Sequence, residues 1–324
     1  MPNVRYRRLG RTALKVSELC LGTMNFGPRT PEKESHDILD NAVEIGVNFI
    51  DTANQYGGDL GVGATETIIG KWLALDRCRR DRIVLATKVH QPMSSDINDR
   101  GLSARHIQMA CDASLKRLQV DHIDLYQFHH IDRLASVEEL WQATERLIAQ
   151  GKVTYIGSSN FPGWKIAQMN EKASASGRLG LVCEQSPYNL IERRAELEVI
   201  PAAMEYGVGV IAWSPLAGGL LAGPPEKNSG RRQSDVIKMA RSVRADQLAR
   251  FETLCCGLGE TPSAVALAWT LHQQGIAAAI IGPSSVEQLS SLVHVPEIQF
   301  GAQLLSDIDA IFAPCGAAPE AYAW

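Results

Sequence analysis

Short apolar runs rich in β-branched residues alternate with longer stretches of helical periodicity along the chain. The apolar runs occupy residues 15–24, 46–53, 82–89, 122–129, 152–160, 180–189, 207–215 and 275–284. The stretch that begins at Ser103, a candidate N-cap, is typical of the intervening segments, with Ile107, Cys111 and Leu115 at helical spacing. Strand candidates that each precede a helix candidate predict parallel βα units.

Eight such units predict an α/β fold in the form of a closed (β/α)8 TIM barrel, which takes about 250 residues. The rest of the 324-residue chain would form an N-terminal β-hairpin (residues 6–18), a long polar loop after the seventh strand (residues 223–238) and a C-terminal tail. Because no linker-like segment divides the chain, we expect a single barrel domain over residues 1–324.

A doubly wound sheet is the alternative fold. It would place a G-x-G-x-x-G motif between a strand and a helix, with an acidic residue about 20 positions later. The nearest match, GDLGVGATE at residues 58–66, follows a polar loop instead of a strand. These glycines therefore favour a flexible turn, and the barrel remains the predicted fold.

Composition and charge exclude several classes of protein. A hydrophobic share of 45%, a charged share of 21% and a net charge of −4 are typical of a globular protein without a nucleic-acid or anionic-membrane partner. The seven cysteines show no C-x-x-C spacing, so we expect neither a disulfide framework nor a metal site. No apolar run approaches membrane-spanning length, and the N-terminus lacks an apolar signal core, so we predict a cytoplasmic protein.

Polar side chains end the predicted strands, at the end of the barrel where catalytic residues collect. In strand order from the second to the seventh they are Asp51 with Tyr56 in its loop, Lys88, His129, Ser159 with Asn160, Gln185, and Trp213 with Ser214. A buried carboxylate is unfavourable without a partner. Since Asp51 and Lys88 end adjacent strands, we expect the two charges to pair.

Asp51, Tyr56, Lys88 and His129 together suit the protonation of an oxygen that becomes an alkoxide. A phenol has a reference pKa of about 10, and an ammonium nearby lowers that pKa, so Lys88 would make Tyr56 a usable proton donor. Asp51 would hold the ammonium, and His129 would hydrogen-bond a substrate carbonyl. From the residues alone, a carbonyl-reducing enzyme and a structural ion pair beside a core histidine both stay open. His130 is an alternative for the imidazole position.

Three motifs resemble the aldo-keto reductase superfamily, within a match that extends from about Tyr6 to Leu292. They are GVNFIDTANQYG, ATK and LYQFH, at residues 46–57, 86–88 and 125–129. The resemblance implies the barrel fold, a nicotinamide dinucleotide bound without a Rossmann unit, and hydride transfer to a carbonyl carbon. It also implies that a tyrosine protonates the oxygen, within a catalytic set of Asp51, Tyr56, Lys88 and His129.

Four further segments resemble the cofactor-binding parts of that superfamily: GKVTYIGSSNF, EQSPYN, AWSPLAGGLL and IIGPSSVEQL. The resemblance implies that a Ser-Asn pair and Gln185 hold the nicotinamide carboxamide, and that Trp213 stacks on the nicotinamide ring. The turn after Trp213 would receive the pyrophosphate, and the last segment would bind the adenosine phosphate. The implied cofactor-binding residues are Thr23, Met24, Ser159, Asn160, Gln185, Trp213, Ser214, Pro215, Leu216, Gly218, Gly282, Ser284 and Gln288.

The resemblance implies NADPH as the cofactor, with NAD as the alternative, because basic residues that favour NADP in relatives are absent here. Many relatives carry Arg where this chain has Ser284 and Asn where it has Leu292, and residues 251–324 contain no Lys or Arg. Serine hydroxyls and helix amides bind phosphate without a full positive charge. A cluster after the seventh strand could compensate, or could be a solvated charge run: Lys227, Arg231 and Arg232.

RGLSARHI and DLYQFHHID resemble the bacterial branch of potassium-channel β-subunit-like reductases, which includes 2,3-reductases and 3-ketoreductases of dTDP-4-keto-6-deoxyhexoses. A keto sugar is therefore the expected substrate. The alternatives are a general aldehyde or ketone reductase, a nicotinamide-sensing regulatory subunit, and a barrel enzyme that uses Lys88 as a Schiff base. Relatives in this branch often assemble, so an oligomer is an alternative to a monomer. Candidate contacts to an anionic substrate, or ordinary surface charges, are Arg29, Arg100 and Arg133; candidate pocket walls are Phe26, Met93, Tyr322 and Trp324.

Overall fold

The structure of the protein is a computed structural model that describes residues 4–224 and 234–323. Two short strands, β1 (Tyr6–Arg8) and β2 (Lys15–Ser17), form the predicted antiparallel hairpin. The strands that follow are β3 (Leu19–Gly22), β4 (Phe49–Asp51), β5 (Val84–Val89), β6 (Ile123–Phe128), β7 (Val153–Ser159), β8 (Leu181–Pro187), β9 (Gly209–Trp213) and β10 (Ile276–Ile281). These eight strands close into a parallel barrel, in which β10 pairs with β3. The predicted (β/α)8 TIM barrel is therefore confirmed.

Helices follow the strands of the barrel, and the longer ones bury one face against its outside. They are α1 (Glu32–Glu44), α2 (Ala64–Leu75), α3 (Cys78–Asp81), α4 (Ala104–Leu118), α5 (Val137–Ala149), α6 (Gly163–Ser174), α7 (Val199–Glu205), α8 (Asp235–Val243), α9 (Ala245–Leu258), α10 (Pro262–His272), α11 (Val286–Ser290), α12 (Ala302–Ile311) and α13 (Glu320–Ala323). The predicted N-cap is confirmed at α4, where the Ser103 hydroxyl accepts a hydrogen bond from the His106 amide. None of the helices in the described ranges is long and apolar enough to span a bilayer.

Two buried apolar clusters stabilise the barrel. The inner cluster contains Leu9, Val16, Cys20, Phe49, Val84, Ala86, Leu125, Val182, Cys183, Ile211, Ala277 and Ala278. The outer cluster joins the other faces of the strands to the helices. Leu9 and Val16 come from the hairpin, which lies against the start of β9. Gly10 permits this approach, because a Cβ atom there would lie 2.6 Å from the Gly207 carbonyl oxygen.

The segment after β9 differs from the predicted long polar loop. Helix α8 begins at Asp235, so the last residues of the expected loop are helical. Val236, Met239 and Val243 recur there at helical spacing, a pattern that the preceding polar residues obscure in the sequence. Residues 225–233, which include the cluster of Lys227, Arg231 and Arg232, lie outside the described residues, as does Trp324.

Candidate active site

The alternation of side chains along the strands places a polar layer directly above the inner apolar cluster. Asp51, Lys88 and Gln185 each lie two residues beyond a member of that cluster, namely Phe49, Ala86 and Cys183. Residues two apart on a strand point to the same side. The layer therefore faces the interior at the C-terminal mouth of the barrel, where TIM-barrel active sites are found.

The structure brings Asp51 and Lys88 together as the sequence predicts. The Lys88 ammonium donates to the Asp51 carboxylate at 2.5 Å, to the Thr52 carbonyl at 2.9 Å and to the Tyr56 hydroxyl at 3.4 Å. Lys88 is fully buried, and these three acceptors match the three donors of an ammonium. The buried charge is therefore compensated, and the ammonium is fixed beside the phenol.

Gln127 holds the second oxygen of the Asp51 carboxylate, a contact that the sequence analysis missed. The side-chain amides of Gln127 and Gln185 donate to this oxygen at 3.1 and 2.9 Å. Gln127 lies two residues before His129 on the same strand, so strand alternation could have placed it in the interior. Both oxygens of Asp51 are thus bound, which fixes the orientation of the carboxylate toward Lys88.

Burial and charge act in opposite directions on the Tyr56 phenol. Burial raises the pKa of Tyr56, the Lys88 ammonium lowers it, and the net shift is upward from the ordinary value of 10.0. The ammonium therefore acts in the predicted direction, but burial outweighs it. Burial lowers the pKa of Lys88, but the Asp51 carboxylate and the Tyr56 hydroxyl together outweigh burial, so that the pKa of Lys88 is raised. At neutral pH Tyr56 is a protonated phenol beside a charged ammonium.

His129, and not its neighbour, lies against Tyr56. The two rings meet edge to face with centroids 5.9 Å apart, whereas His130 stacks behind His129 at 5.4 Å. Burial, followed by the Lys88 ammonium, lowers the pKa of His129 to about 2. The imidazole is therefore neutral at physiological pH, where it can donate one hydrogen bond but cannot act as the acid.

Asn160 is the centre of the predicted carboxamide site. Its side-chain amide donates to the His129 carbonyl at 3.0 Å and to the Ser159 hydroxyl at 2.9 Å, and it accepts from the Trp213 indole at 3.2 Å. The backbone of Asn160 adopts a left-handed conformation with φ of 58°, and its backbone amide donates to the Gln185 carbonyl at 3.0 Å. The structure thus brings together four residues that the sequence assigns to the nicotinamide.

The turn after β9 contains several residues with left-handed backbone. Ser214, Ala217, Gly218 and Gly219 have φ values of 52°, 49°, 68° and 102°. The Ser214 carbonyl is held by the side-chain amide of Asn189 at 2.9 Å. Backbone amides that converge in such turns form anion-binding concavities. Pro215 and Leu216 of the predicted pyrophosphate site lie in this turn, where the amides of Ala217 and Gly219 donate to the carbonyls of Ser214 and Leu216.

The predicted adenosine-phosphate site is exposed at Ser284 and Gln288, and its own segment, residues 282–292, contains no Lys or Arg. The amide and hydroxyl of Ser284 donate to the Gln288 side chain at 2.9 and 3.0 Å, and Asn25 donates to the Gly282 carbonyl at 3.1 Å. Leu292 packs against the outer cluster. The amide and hydroxyl of Ser284 are therefore the donors that this loop offers to the adenosine part of a cofactor.

The remaining predicted residues divide into buried and exposed ones. Thr23 is buried, and its hydroxyl donates a hydrogen bond to the Asp51 backbone carbonyl at 2.9 Å. The next residue, Met24, is half exposed. Phe26 is fully buried in the outer cluster, so the prediction that it lines an open pocket is wrong. The others are partly or fully exposed: Arg29, Met93, Arg100, Arg133, and Tyr322, whose hydroxyl donates to Glu198 at 2.9 Å.

A closed parallel barrel with a phenol, an ammonium, a carboxylate and an imidazole at its C-terminal mouth defines a (β/α)8-barrel enzyme equipped for proton transfer. Comparison with known proteins gives the family, since the chain matches the Aldo/keto reductase family over residues 18–313. The protein belongs to the aldo/keto reductase family and is an NAD(P)H-dependent oxidoreductase that acts on small-molecule carbonyl substrates.

Similar proteins cover nearly the whole chain. The uncharacterized oxidoreductase YrpG of Bacillus subtilis is 50% identical, over 99% of this chain and 100% of that protein. Versiconal hemiacetal acetate reductase of Aspergillus parasiticus is 30% identical, over 96% of this chain and 98% of its own. A putative voltage-gated potassium channel subunit beta of Schizosaccharomyces pombe is 32% identical, over 95% and 93% of the two chains. The resemblance to a channel β-subunit-like branch is thus matched by a relative of that name.

Proposed function

We propose that the protein reduces an aldehyde or ketone with Tyr56 as the general acid. The contact that supports this role is the 3.4 Å approach of the Lys88 ammonium to the Tyr56 hydroxyl, with the Asp51 carboxylate behind it at 2.5 Å. A phenol held beside an ammonium can lose its proton to a developing alkoxide, because the resulting phenolate is stabilised at once.

The reaction divides between the cofactor and the side chains of this chain. The reduced nicotinamide supplies the hydride. Tyr56 hydrogen-bonds the carbonyl oxygen and transfers its proton to that oxygen as negative charge develops there. Lys88 stabilises the phenolate, and Asp51 keeps Lys88 charged. The neutral imidazole of His129 donates a hydrogen bond that orients the carbonyl.

Replacing Tyr56 with Phe tests this role. We expect Tyr56→Phe to lower kcat by about 10³-fold or more, since general acid catalysis contributes on the order of 10²–10⁴. Cofactor affinity should change little, because the ring remains in place. The matched control is Tyr206→Phe, which removes an exposed hydroxyl bonded to Glu171 and should leave kcat unchanged. Full activity of Tyr56→Phe would remove the phenol from the mechanism.

We propose NADPH as the preferred cofactor, on the basis of the family resemblance. The loop that follows β10 contains Ser284 and the amides of the next helix but no Lys or Arg. The preference for NADPH over NADH would therefore be modest. Michaelis constants for NADPH and NADH, measured with one carbonyl substrate, provide the test. An equal or lower constant for NADH would reverse the assignment.

The proposed substrate is a keto sugar carried on a nucleotide, such as a dTDP-4-keto-6-deoxyhexose. A cavity of about 410 Å³ lies between the segments that follow β6 and β7, and its lining includes three cationic side chains and one carboxylate, Glu138, which pairs with Lys172. Arg133, Lys165 and Trp164 line this cavity, and Arg133 makes no ion pair within the described residues. The cations would bind the diphosphate, and the half-exposed indole of Trp164 would stack on the base.

A panel of dTDP-keto sugars and uncharged aldehydes tests this substrate class. We expect Arg133→Gln to raise KM for the sugar nucleotide severalfold and to leave KM for a simple aldehyde unchanged. Arg146→Gln, at the opposite end of helix α5, is the matched control. Equal activity on all aldehydes and no preference for nucleotide-linked sugars would favour a general aldehyde or ketone reductase.

A nicotinamide-sensing regulatory protein is the second candidate function, favoured by the relative named as a potassium channel subunit beta. Such a protein would oxidise its bound cofactor once and release it slowly. Single-turnover oxidation of NADPH without sustained turnover on any carbonyl in the panel would support this candidate, whereas continuous turnover would support the enzyme.

A further inference from the structure

Glu184 is a fully buried carboxylate that forms no ion pair with a basic side chain within residues 4–224 and 234–323. Other buried carboxylates here differ: Asp51 pairs with Lys88, and Glu66 pairs with Arg117 at 2.7 Å. An ionised carboxylate in the interior is unfavourable unless it is paired or fully hydrogen-bonded. The hydrogen bonds to Glu184 therefore have to compensate for its burial.

Neutral donors surround the Glu184 carboxylate. The Ser158 hydroxyl donates to one oxygen at 2.5 Å, and the Ser186 hydroxyl donates to the other at 2.7 Å. The backbone amide of Phe161 donates to that second oxygen at 3.1 Å. The two serines lie on the adjacent strands β7 and β8, whereas Phe161 belongs to the turn that follows β7. The carboxylate thus ties this turn to both strands.

The turn held by Glu184 is the one that presents Asn160. Phe161 directly follows Asn160, whose left-handed backbone is unfavourable for a residue other than glycine unless neighbouring contacts fix it. Glu184 and Gln185 are consecutive in β8, so their side chains point to opposite faces. Gln185 reaches the barrel mouth, while Glu184 reaches the same turn from the side of the helices.

Burial, only partly offset by the donors beginning with Ser158, raises the pKa of Glu184 from 4.5 to about 7. The ionised form of Glu184 therefore destabilises the folded state at neutral pH and above. A glutamine of the same shape could accept from Phe161 and donate to the Ser158 oxygen without that destabilisation. What the glutamine lacks is the stronger, charge-assisted bond that the carboxylate makes to the turn once it is ionised, above about pH 7.

We propose that Glu184 is a positioning residue, which fixes the turn after β7 so that Asn160 and Trp213 meet the nicotinamide. Its effect on catalysis is indirect, through the cofactor, and this inference rests on the proposed function. Removing the carboxylate should therefore weaken cofactor binding while leaving the proton-transfer residues intact.

The test compares Glu184→Gln and Glu184→Ala with the wild type at pH 8, where Glu184 is mostly ionised. NADPH and NADH are titrated, and nucleotide fluorescence is followed. We expect the dissociation constant of the better cofactor to rise about fivefold in Glu184→Gln and tenfold or more in Glu184→Ala, since a charge-assisted bond is about twice as strong as a neutral one. At saturating cofactor, kcat should stay within about twofold of wild type, because Tyr56, Lys88 and Asp51 are unchanged.

Glu66→Gln is the matched control, since it alters a buried carboxylate with a hydroxyl partner, Thr87, on another part of the barrel. It should lower Tm without changing the cofactor dissociation constant. If Glu184→Gln leaves the cofactor dissociation constant unchanged, as Glu66→Gln should, then Glu184 is only structural and the inference is overturned, whatever the change in Tm. If the wild type binds neither nucleotide, the proposed function fails instead. Should Glu184→Ala not fold, Glu184→Gln still decides between these outcomes.

Discussion

The two halves of the barrel mouth hold their polar groups by different means. At the ends of β4 and β5, two full charges form a direct ion pair, in which the Lys88 ammonium lies 2.5 Å from the Asp51 carboxylate. At the ends of β7 and β9, neutral amides and hydroxyls are fixed by left-handed backbone at Asn160 and Ser214. The first half is suited to proton transfer and the second to recognition of a ring and its carboxamide. Substitutions in the first half should therefore change kcat, and those in the second should change cofactor affinity.

The largest expected effect is that of removing the ammonium from the charged half. Lys88→Met should lower kcat by about 10³-fold, because the Tyr56 phenolate loses its stabilising charge. It also leaves Asp51 buried without its cation, a situation that destabilises proteins by about 3–5 kcal/mol. Kinetics at saturating cofactor and urea denaturation measure the two losses.

The double variant Lys88→Met with Asp51→Asn separates these two losses. A neutral amide in place of the carboxylate no longer needs the ammonium, so stability should recover in part while kcat stays low. Recovery of activity together with stability would show that the ion pair serves the fold alone, and the contrast between the two halves would fail.

The next effect concerns stability against pH in the neutral half. Burial raises the pKa of Glu184 to about 7 from 4.5, so the native state binds a proton more tightly than the unfolded chain. Its contribution to stability is fully present below pH 4.5 and is lost as pH rises through about 7. The shift corresponds to about 3 kcal/mol at most.

Glu184→Gln removes this dependence. The free energy of unfolding of the variant minus that of wild type should increase by up to about 3 kcal/mol between roughly pH 5 and pH 8, while other titrating groups cancel in the difference. Urea denaturation of both proteins at the two pH values measures it. If the free energies of unfolding of the two proteins changed equally with pH, ionisation of Glu184 would not destabilise the folded state.

The sequence predicted the charged half better than the neutral half, for a physical reason. Asp51 and Lys88 stand out in apolar strands because an uncompensated buried charge is unfavourable, and strand alternation then places them at one mouth. Left-handed Ser214 and Ala217 have no such signal, since their residue types do not require positive φ. Phe26 was misassigned because an apolar residue in a rim loop can pack inward as readily as line a pocket.

Gln127 and Glu184 were missed because a polar residue inside a strand can face either the interior or the helices. Period-two alternation places Gln127 in the same layer as Asp51 once the register of the barrel is known. Glu184 could not be recognised as a buried carboxylate without coordinates, since its donors come from Ser158, Ser186 and a backbone amide. Non-local neutral donors leave no mark in the local sequence.

The smallest expected effect is that of removing the Asn160 side chain without disturbing its backbone. Asn160→Gly keeps the left-handed turn, because glycine adopts positive φ without a penalty. It removes the hydrogen bonds to Trp213 and the His129 carbonyl, so the cofactor dissociation constant should rise about tenfold. A tenfold rise corresponds to roughly 1.4 kcal/mol, the value expected for one or two neutral hydrogen bonds.

Asn160→Ala should lose a similar affinity and, in addition, about 1 kcal/mol of stability from the strained backbone. Nucleotide titration and thermal denaturation of the two variants separate the side chain from the turn. If Asn160→Gly and Asn160→Ala were equally stable, the left-handed backbone would not be what fixes the polar groups at the ends of β7 and β9. The two halves of the mouth would then differ in charge alone.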